Sequence, residues 1–308
     1  MNACGIKLML VVALAVVSCA TAQEAPPQLT ERQAEVAAVV DSLLKALIAG
    51  DVEAIKQALR LPLLAVVEFE AGSPAIVEIG EGRLAEEVGA AAAARYGAAK
   101  QVQLVKPTVV LLAWNVAAIA SPVQWKDVAG NVLLDEGIAA LLRKDAGGWG
   151  VATVMISGVR PPEPDEATRQ QIAEVVDGAV KAIMRQDEES YVAAFSVPTV
   201  DIDPERGVRR LGLNELRAGF RQFGSMLLDA GVVDARIDMQ RLVMLGPNVA
   251  CAVGIAKGLD GAGAQIGHRP QGVLLVKEAE KWKIVAQAAG TPAEGTAPER
   301  LPGLPAGD

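Results

Sequence analysis

The sequence predicts an α+β fold built twice in tandem, each copy packing helices on one face of an antiparallel sheet. Three observations predict it. Two stretches 136 residues apart carry the same helical apolar pattern, and two later stretches 133 residues apart carry the same hairpin pattern. In each copy the helices come first and the long strands follow consecutively, which is the α+β order rather than alternating α/β. The 308 residues allow roughly two domains of ~150. A hydrophobic share of 51% with 21% charged residues is the composition of a chain that buries a core.

The first element reads as an export signal. Lys7 precedes an unbroken apolar run from Leu8 to Val17. Those ten residues fall short of the roughly 20 that span a bilayer, and suit a signal-peptide core. Ala20-Thr21-Ala22 then supplies small residues at the cleavage site, so residues 1–22 are predicted as a signal peptide and Gln23 as the mature terminus. Val16-Val17-Ser18-Cys19 is similar to a bacterial lipobox, an alternative in which Cys19 is diacylated and anchors the protein. The expected location is periplasmic or secreted, or membrane-anchored through Cys19. No later run is apolar enough to span a membrane; Pro62 and acidic residues interrupt Leu59 to Ile79. Cys4 leaves with the signal, and Cys251, inside the apolar run Val249–Val253, reads as an inert core residue. No disulfide framework is implied.

Residues 23–29 read as a flexible lead into the first unit, 30–157. Thr30 and Gln33 make a capping box for a helix whose apolar stripe runs Val36, Val39, Val40, Leu43, Leu44, Leu47, Ile48. Adding 136 gives Ile172, Val175, Val176, Ala179, Val180, Ile183 and Met184, apolar throughout. Asp51 and Asp187 fall where a short second helix needs its N-cap. A third helix is predicted over about Gly82–Tyr96, and over Asn214–Ala230 in the second unit with Asn214 as its cap. Strands are predicted at Val102–Ala120, Val132–Lys144 and Trp149–Ile156, matched by Ala235–Lys257, Pro270–Lys277 and Trp282–Ala288. Gly158 to Pro164, with three prolines in seven residues, reads as a semi-rigid linker. The second unit is then 165–289, and the Pro- and Gly-rich stretch 290–308 reads as a disordered tail. Each unit, at ~125 residues, is large enough to support its own core.

This order of elements resembles the NTF2-like superfamily, which includes SnoaL-like domains and ketosteroid isomerase. The resemblance is carried by Ala49-Gly50-Asp51-Val52-Glu53-Ala54-Ile55, Gln186-Asp187-Glu188-Glu189-Ser190-Tyr191, Gly212 to Phe220, and the hairpins closed by Trp149 and Trp282. It implies a curved sheet wrapped around long helices, with a cavity at the open end of each of two tandem cones. It also implies pairing through the outer sheet face, here between two units of one chain.

The resemblance places Asp203, in Val200-Asp201-Ile202-Asp203-Pro204, where ketosteroid isomerases carry a general base. That chemistry also needs donors for the developing oxyanion. The helix from Asp165 to Arg185 has no tyrosine, Tyr191 lies on the next helix, and the late strands offer no clear buried acid. Asp203 is therefore a candidate that the sequence reads as non-catalytic. Glu68 and Glu70 read as the corresponding alternation in the first unit, and both acidic pairs read as solvated strand faces. Arg206, Arg209 and Arg210 cluster near Asp203; they read either as a meeting point for an anionic ligand or, more plainly, as salt-bridge partners of Asp201 and Glu205. Trp149, Trp282 and Tyr191 are the ligand-binding candidates, with core packing the plainer reading of the two tryptophans. His268 follows a Gly/Ala-rich stretch and reads as a surface imidazole on a flexible loop.

One histidine removes mechanisms needing two imidazoles and nearly every zinc site, so no metal and no cofactor are expected. A net charge of −8 with 3% aromatics argues against nucleic-acid partners. The sequence reads as a cell-envelope protein binding a small apolar ligand or a protein partner without catalysis. The alternative is an isomerase, cyclase or dehydratase working around Asp203. The intact mass of the exported protein is expected to begin at Gln23; a diacylated Cys19 terminus would overturn that processing.

Overall fold

The computed structural model describes residues 29–68, 74–80, 88, 90–158, 164–291, 293–294 and 301. Its first helix, α1 (Glu31–Ala49), starts at the capping box: Thr30 accepts from the Gln33 backbone and Gln33 returns the bond. α2 (Val52–Ala58) begins at Asp51, whose carboxylate accepts the Ala54 N–H at 3.0 Å. There follow β1 (Leu59–Glu68), β2 (Ala75–Ile79), α3 (Ala90–Tyr96), β3 (Gln101–Leu104), β4 (Thr108–Ala113), β5 (Val116–Lys126), β6 (Val132–Asp145) and β7 (Gly148–Ser157). The second unit repeats the plan with α4 (Glu166–Met184), α5 (Glu188–Ala193), β8 (Phe195–Asp203), β9 (Gly207–Leu211), α6 (Leu213–Asp229), β10 (Asp234–Gly246), β11 (Val249–Leu259), β12 (Gln265–Glu278), β13 (Lys281–Ala289) and the short β14 (Ala293–Glu294). Asp187 caps α5 through the Ser190 N–H, as Asp51 caps α2.

The first sheet runs β2-β1-β7-β6-β5-β3, with β4 sharing β5; the second runs β10-β11-β12-β13-β8-β9, with β14 on β12. Pairing is antiparallel except where β1 meets β7 and β8 meets β13, the parallel joins that bring the strand after the short helix back beside the last strand. Inside each cone the helices cover the inner face. Val36, Val40, Leu43 and Leu44 pack into the first core, and Ile172, Val176, Ala179 and Ile183 into the second. The apolar stripes read from spacing are the buried ones.

The outer faces of the two sheets lie against each other. Leu64, Val66, Val116, Leu141 and Met155 of the first sheet share one core with Val200, Ile202, Cys251, Leu274 and Val285 of the second. Burial pushes the Cys251 thiol up to about 12, so it stays a neutral core side chain. Two repeat-related asparagines lock the seam: Asn115 Nδ2 donates to the Pro204 carbonyl at 2.8 Å, and Asn248 Nδ2 donates to Glu68 Oε1 at 2.8 Å. Positions 68 and 204 are themselves 136 apart, so the seam has the reciprocal geometry of a two-fold interface within one chain. Close approach requires glycine at Gly246, where a Cβ would overlap the Glu68 carboxylate and Ser157.

Several expectations are corrected. The strands expected as single runs over Val102–Ala120 and Ala235–Lys257 each fold into hairpins, turning at Asn115 and Asn248, whose carbonyls accept the Lys144 and Lys277 N–H groups. Gly212, not Asn214, caps α6, and no side chain bonds there. Glu68 is not on a solvated face but is 1% exposed in the seam. His268 lies within β12, paired with Lys257 and Ala293, rather than on a loop. Gly261 to Ala264 form the turn that precedes that strand, which starts at Gln265. The tail is ordered in part: Ala293–Glu294 pairs with β12, and Leu301 is buried in the seam core. Independent cores exist inside the cones, but the shared core is one that neither unit can cover alone. The signal peptide, its cleavage site and Cys19 lie outside the described residues. So do Glu70, residues 82–87 and 89 of the expected third helix, and 159–163 of the linker.

Burial pushes the Glu68 carboxyl above its usual range, and the bonds from Asn248 and Ser157 offset this only in part. Its contribution to stability is complete below the unfolded carboxyl pKa of ~4.3 and is lost as pH rises through the raised folded value. Glu68→Gln keeps an acceptor for Asn248 without the charge. The variant is expected to melt a few degrees above the wild type at pH 7, at ~2–4 °C per kcal/mol. The difference should vanish near pH 4 in a calorimetric series.

Candidate functional site

Residues alternate across β8. Val200 and Ile202 face the seam, so Asp201 and Asp203 face the inside of the second cone. There they border a cavity of about 620 Å³. Its body is apolar: Val176 and Ile183 of α4, Leu216 and Phe223 of α6, and Val273 and Ile284 of the sheet. Tyr191 projects from α5 into the same space, tilted against Phe195 and Phe220 with ring centroids 4.9 and 5.3 Å away. Burial first, and then the charge of Asp201, push its phenol well above the usual range, so it is a neutral hydroxyl. Four arginines border this cavity: Arg206, Arg209, Arg210 and Arg269.

The acids are already engaged. Asp201 is 7% exposed and pairs with Arg209, while Gln287 Nε2 donates to its other oxygen at 3.0 Å. Asp203 Oδ1 accepts the backbone N–H groups of Glu205 and Arg206, both at 2.9 Å. Its Oδ2 accepts from Arg269 Nη2 at 2.7 Å, and Arg269 Nε holds the Gly290 carbonyl at 2.7 Å. Partial burial pulls the Asp203 pKa up. The two backbone donors and the Arg269 guanidinium outweigh it and hold the carboxyl below the ordinary range. A general base near neutrality needs the opposite shift and a free lone pair toward the substrate. Asp203 is instead the anchor of a turn closed by Gly207, whose φ of +85° favours glycine.

The arginine cluster divides its work differently from the sequence reading. Arg269, which sequence reasoning missed, is the partner of Asp203, while Arg210 reaches across the seam to Glu78 of the first unit. The Arg206 guanidinium is exposed and has no partner among the described residues. A two-residue period through Arg269, Gln271 and Val273 marks this wall, but the strand expected over Pro270–Lys277 leaves Arg269 outside it.

Trp149 and Trp282 are core residues. Trp149 lines neither cone cavity and donates its indole N–H to Glu35 at 3.1 Å; Trp282 borders only an open groove beside α4 and α5. In the first cone, Ala65 and Val67 stand 136 residues before Asp201 and Asp203, and the cavity is smaller, about 190 Å³, and almost wholly apolar. Its polar groups are tied up below the wall: buried Glu136 accepts from Tyr96, Trp125 and Arg95 at 3.1, 2.8 and 2.6 Å. Among the described residues, no three His, Cys, Asp or Glu side chains gather to hold a metal ion.

No family model matches the chain, and no curated protein does. Solved structures do. An NTF-2-like protein of unknown function from Shewanella oneidensis is 17% identical, with a TM-score of 0.33, covering 40% of this chain and 98% of its own. A ketosteroid isomerase-like protein from Erwinia carotovora atroseptica is 18% identical, with a TM-score of 0.33, covering 41% of this chain and 97% of its own. A protein of unknown function with a cystatin-like fold from Nostoc punctiforme is 18% identical, with a TM-score of 0.34, covering 46% of this chain and all of its own. Each match spans less than half of this chain.

Asp203 and Arg269 are largely buried, at 17% and 19% side-chain exposure, so their separation costs more than an exposed ion pair would. Asp203→Asn is expected to lose ~1–3 kcal/mol at pH 7, as for a charged hydrogen bond. A carboxyl with a lowered folded pKa stabilises above the unfolded value of ~3.9 and loses that contribution as pH falls through the folded value. Urea titrations of wild type and variant should therefore converge as the pH is lowered through the folded value.

Proposed function

We propose that this chain is an exported, non-catalytic binding protein that holds one small, mostly apolar molecule in its second cone. The observation that carries the reading is the 620 Å³ cavity with apolar walls in which the Asp201 and Asp203 carboxylates are both engaged. That volume falls within the range of small-molecule sites, roughly 300–1,000 Å³. Polar groups set among apolar walls orient a ligand, and the bonds that fix Asp201 and Asp203 leave the chamber pre-organised. Export is supported by Lys7, the Leu8–Val17 run and Ala20-Thr21-Ala22, with anchoring through Cys19 as the alternative processing. No described helix is long and apolar enough to cross a membrane.

Gly219 offers a clean test. It lies on the α6 wall, and a Cβ there would meet nothing within 4 Å. Gly219→Phe is expected to fill the chamber while raising or preserving the melting temperature, since glycine costs ~1 kcal/mol within a helix. The neutral fluorophore N-phenyl-1-naphthylamine should bind the wild type at one saturable site and the variant at least tenfold more weakly. Equal binding to both proteins would remove the site from the second cone. Turnover of unsaturated ketones that is abolished in Asp203→Asn would make the protein an enzyme.

A further inference from the structure

Resting on the second cone being a small-molecule site, we propose that its ligand is an anionic amphiphile, with a hydrocarbon chain in the chamber and a carboxylate at the rim against Arg206. Four arginines and three acids (Asp201, Asp203, Glu215) border the chamber, and Glu205 borders the hollow beside it. Asp201 is neutralised by Arg209, Asp203 by Arg269, and Arg210 is drawn to Glu78. Arg206 is left with no acid of its own among the described residues. It also borders the adjoining hollow of about 150 Å³ that opens past Phe223 and Met226. An unpaired guanidinium beside a chamber with apolar walls fits a molecule with acceptor oxygens at one end and hydrocarbon at the other.

The position of Arg206 is fixed by the backbone rather than by chance. Its own N–H is held by Asp203, and the preceding Pro204 carbonyl is held by Asn115 of the first unit. The rim is thus pre-organised by both halves of the chain, which lowers the ordering cost of binding.

Head-group swaps on one chain length test this. Decanoate, decan-1-ol and decylamine are titrated against bound N-phenyl-1-naphthylamine on the full-length protein. Decanoate is expected to displace the fluorophore at a concentration about tenfold below decan-1-ol, with decylamine weakest. Arg206→Gln, at an exposed position, should weaken decanoate about tenfold and leave decan-1-ol within about twofold. Equal affinity of decanoate and decan-1-ol for the wild type would overturn the proposal, as would equal effects of Arg206→Gln on both. If none of the three competes with bound fluorophore, the amphiphile proposal fails and the chamber stands. If the fluorophore itself does not bind, the chamber reading falls as well.

Discussion

The outer faces of the two sheets are as apolar as their inner faces, and only contact between them keeps both out of water. Leu64, Val66, Leu141 and Met155 on one side need Val200, Ile202, Leu274 and Val285 on the other. A single cone of this sequence would expose an apolar patch large enough to seek a partner. Covalent fusion supplies that partner at fixed proximity, so the pairing does not depend on protein concentration. The polar groups that reach the seam follow from this: each must find a partner there, Asn115 and Asn248 in the other half and Ser157 on Glu68.

The same contact reaches the second chamber. β8 presents one face to the seam and the other to the chamber, so any residue that fixes the strand from behind also fixes Asp201 and Asp203 in front. Asn115 holds the turn after Asp203, Glu78 holds Arg210, and the Gly290 carbonyl holds Arg269. The rim is therefore a joint product of both units, although the chamber itself lies within one. In the first cone the corresponding strand positions are Ala65 and Val67, and the chamber has shrunk to an apolar remnant.

Local chemistry made much of the fold readable. The Thr30–Gln33 box, the Asp51 and Asp187 caps and the 3.6-residue stripes depend on neighbours within one turn, and each appears where the spacing puts it. Which face of a strand points where is a different matter. Alternation places Asp201 and Asp203 together but does not distinguish a solvated side from a chamber; that depends on Val200 and Ile202 being buried by the other half of the chain. The Arg269 partner was hidden for a related reason. Gly261 to Ala264 do form a turn, but the strand begins at Gln265, upstream of Pro270, because Gly267, His268 and Arg269 pair with Gly258, Lys257 and Ala256. Leu301 was unreadable because a single apolar residue in a proline-rich stretch has no periodicity to betray its burial.

Fusing the two halves also changes what evolution can do with them. In a dimer of identical subunits every substitution appears twice, so a charge introduced at one wall is introduced at its mate. Here the equivalents of Asp201 and Asp203 are free to be Ala65 and Val67. One copy can drift toward a structural buttress while the other collects charged groups. The molecule keeps the shape of a symmetric pair but escapes its bookkeeping, and a single occupied site per chain is the stoichiometry that such an escape permits.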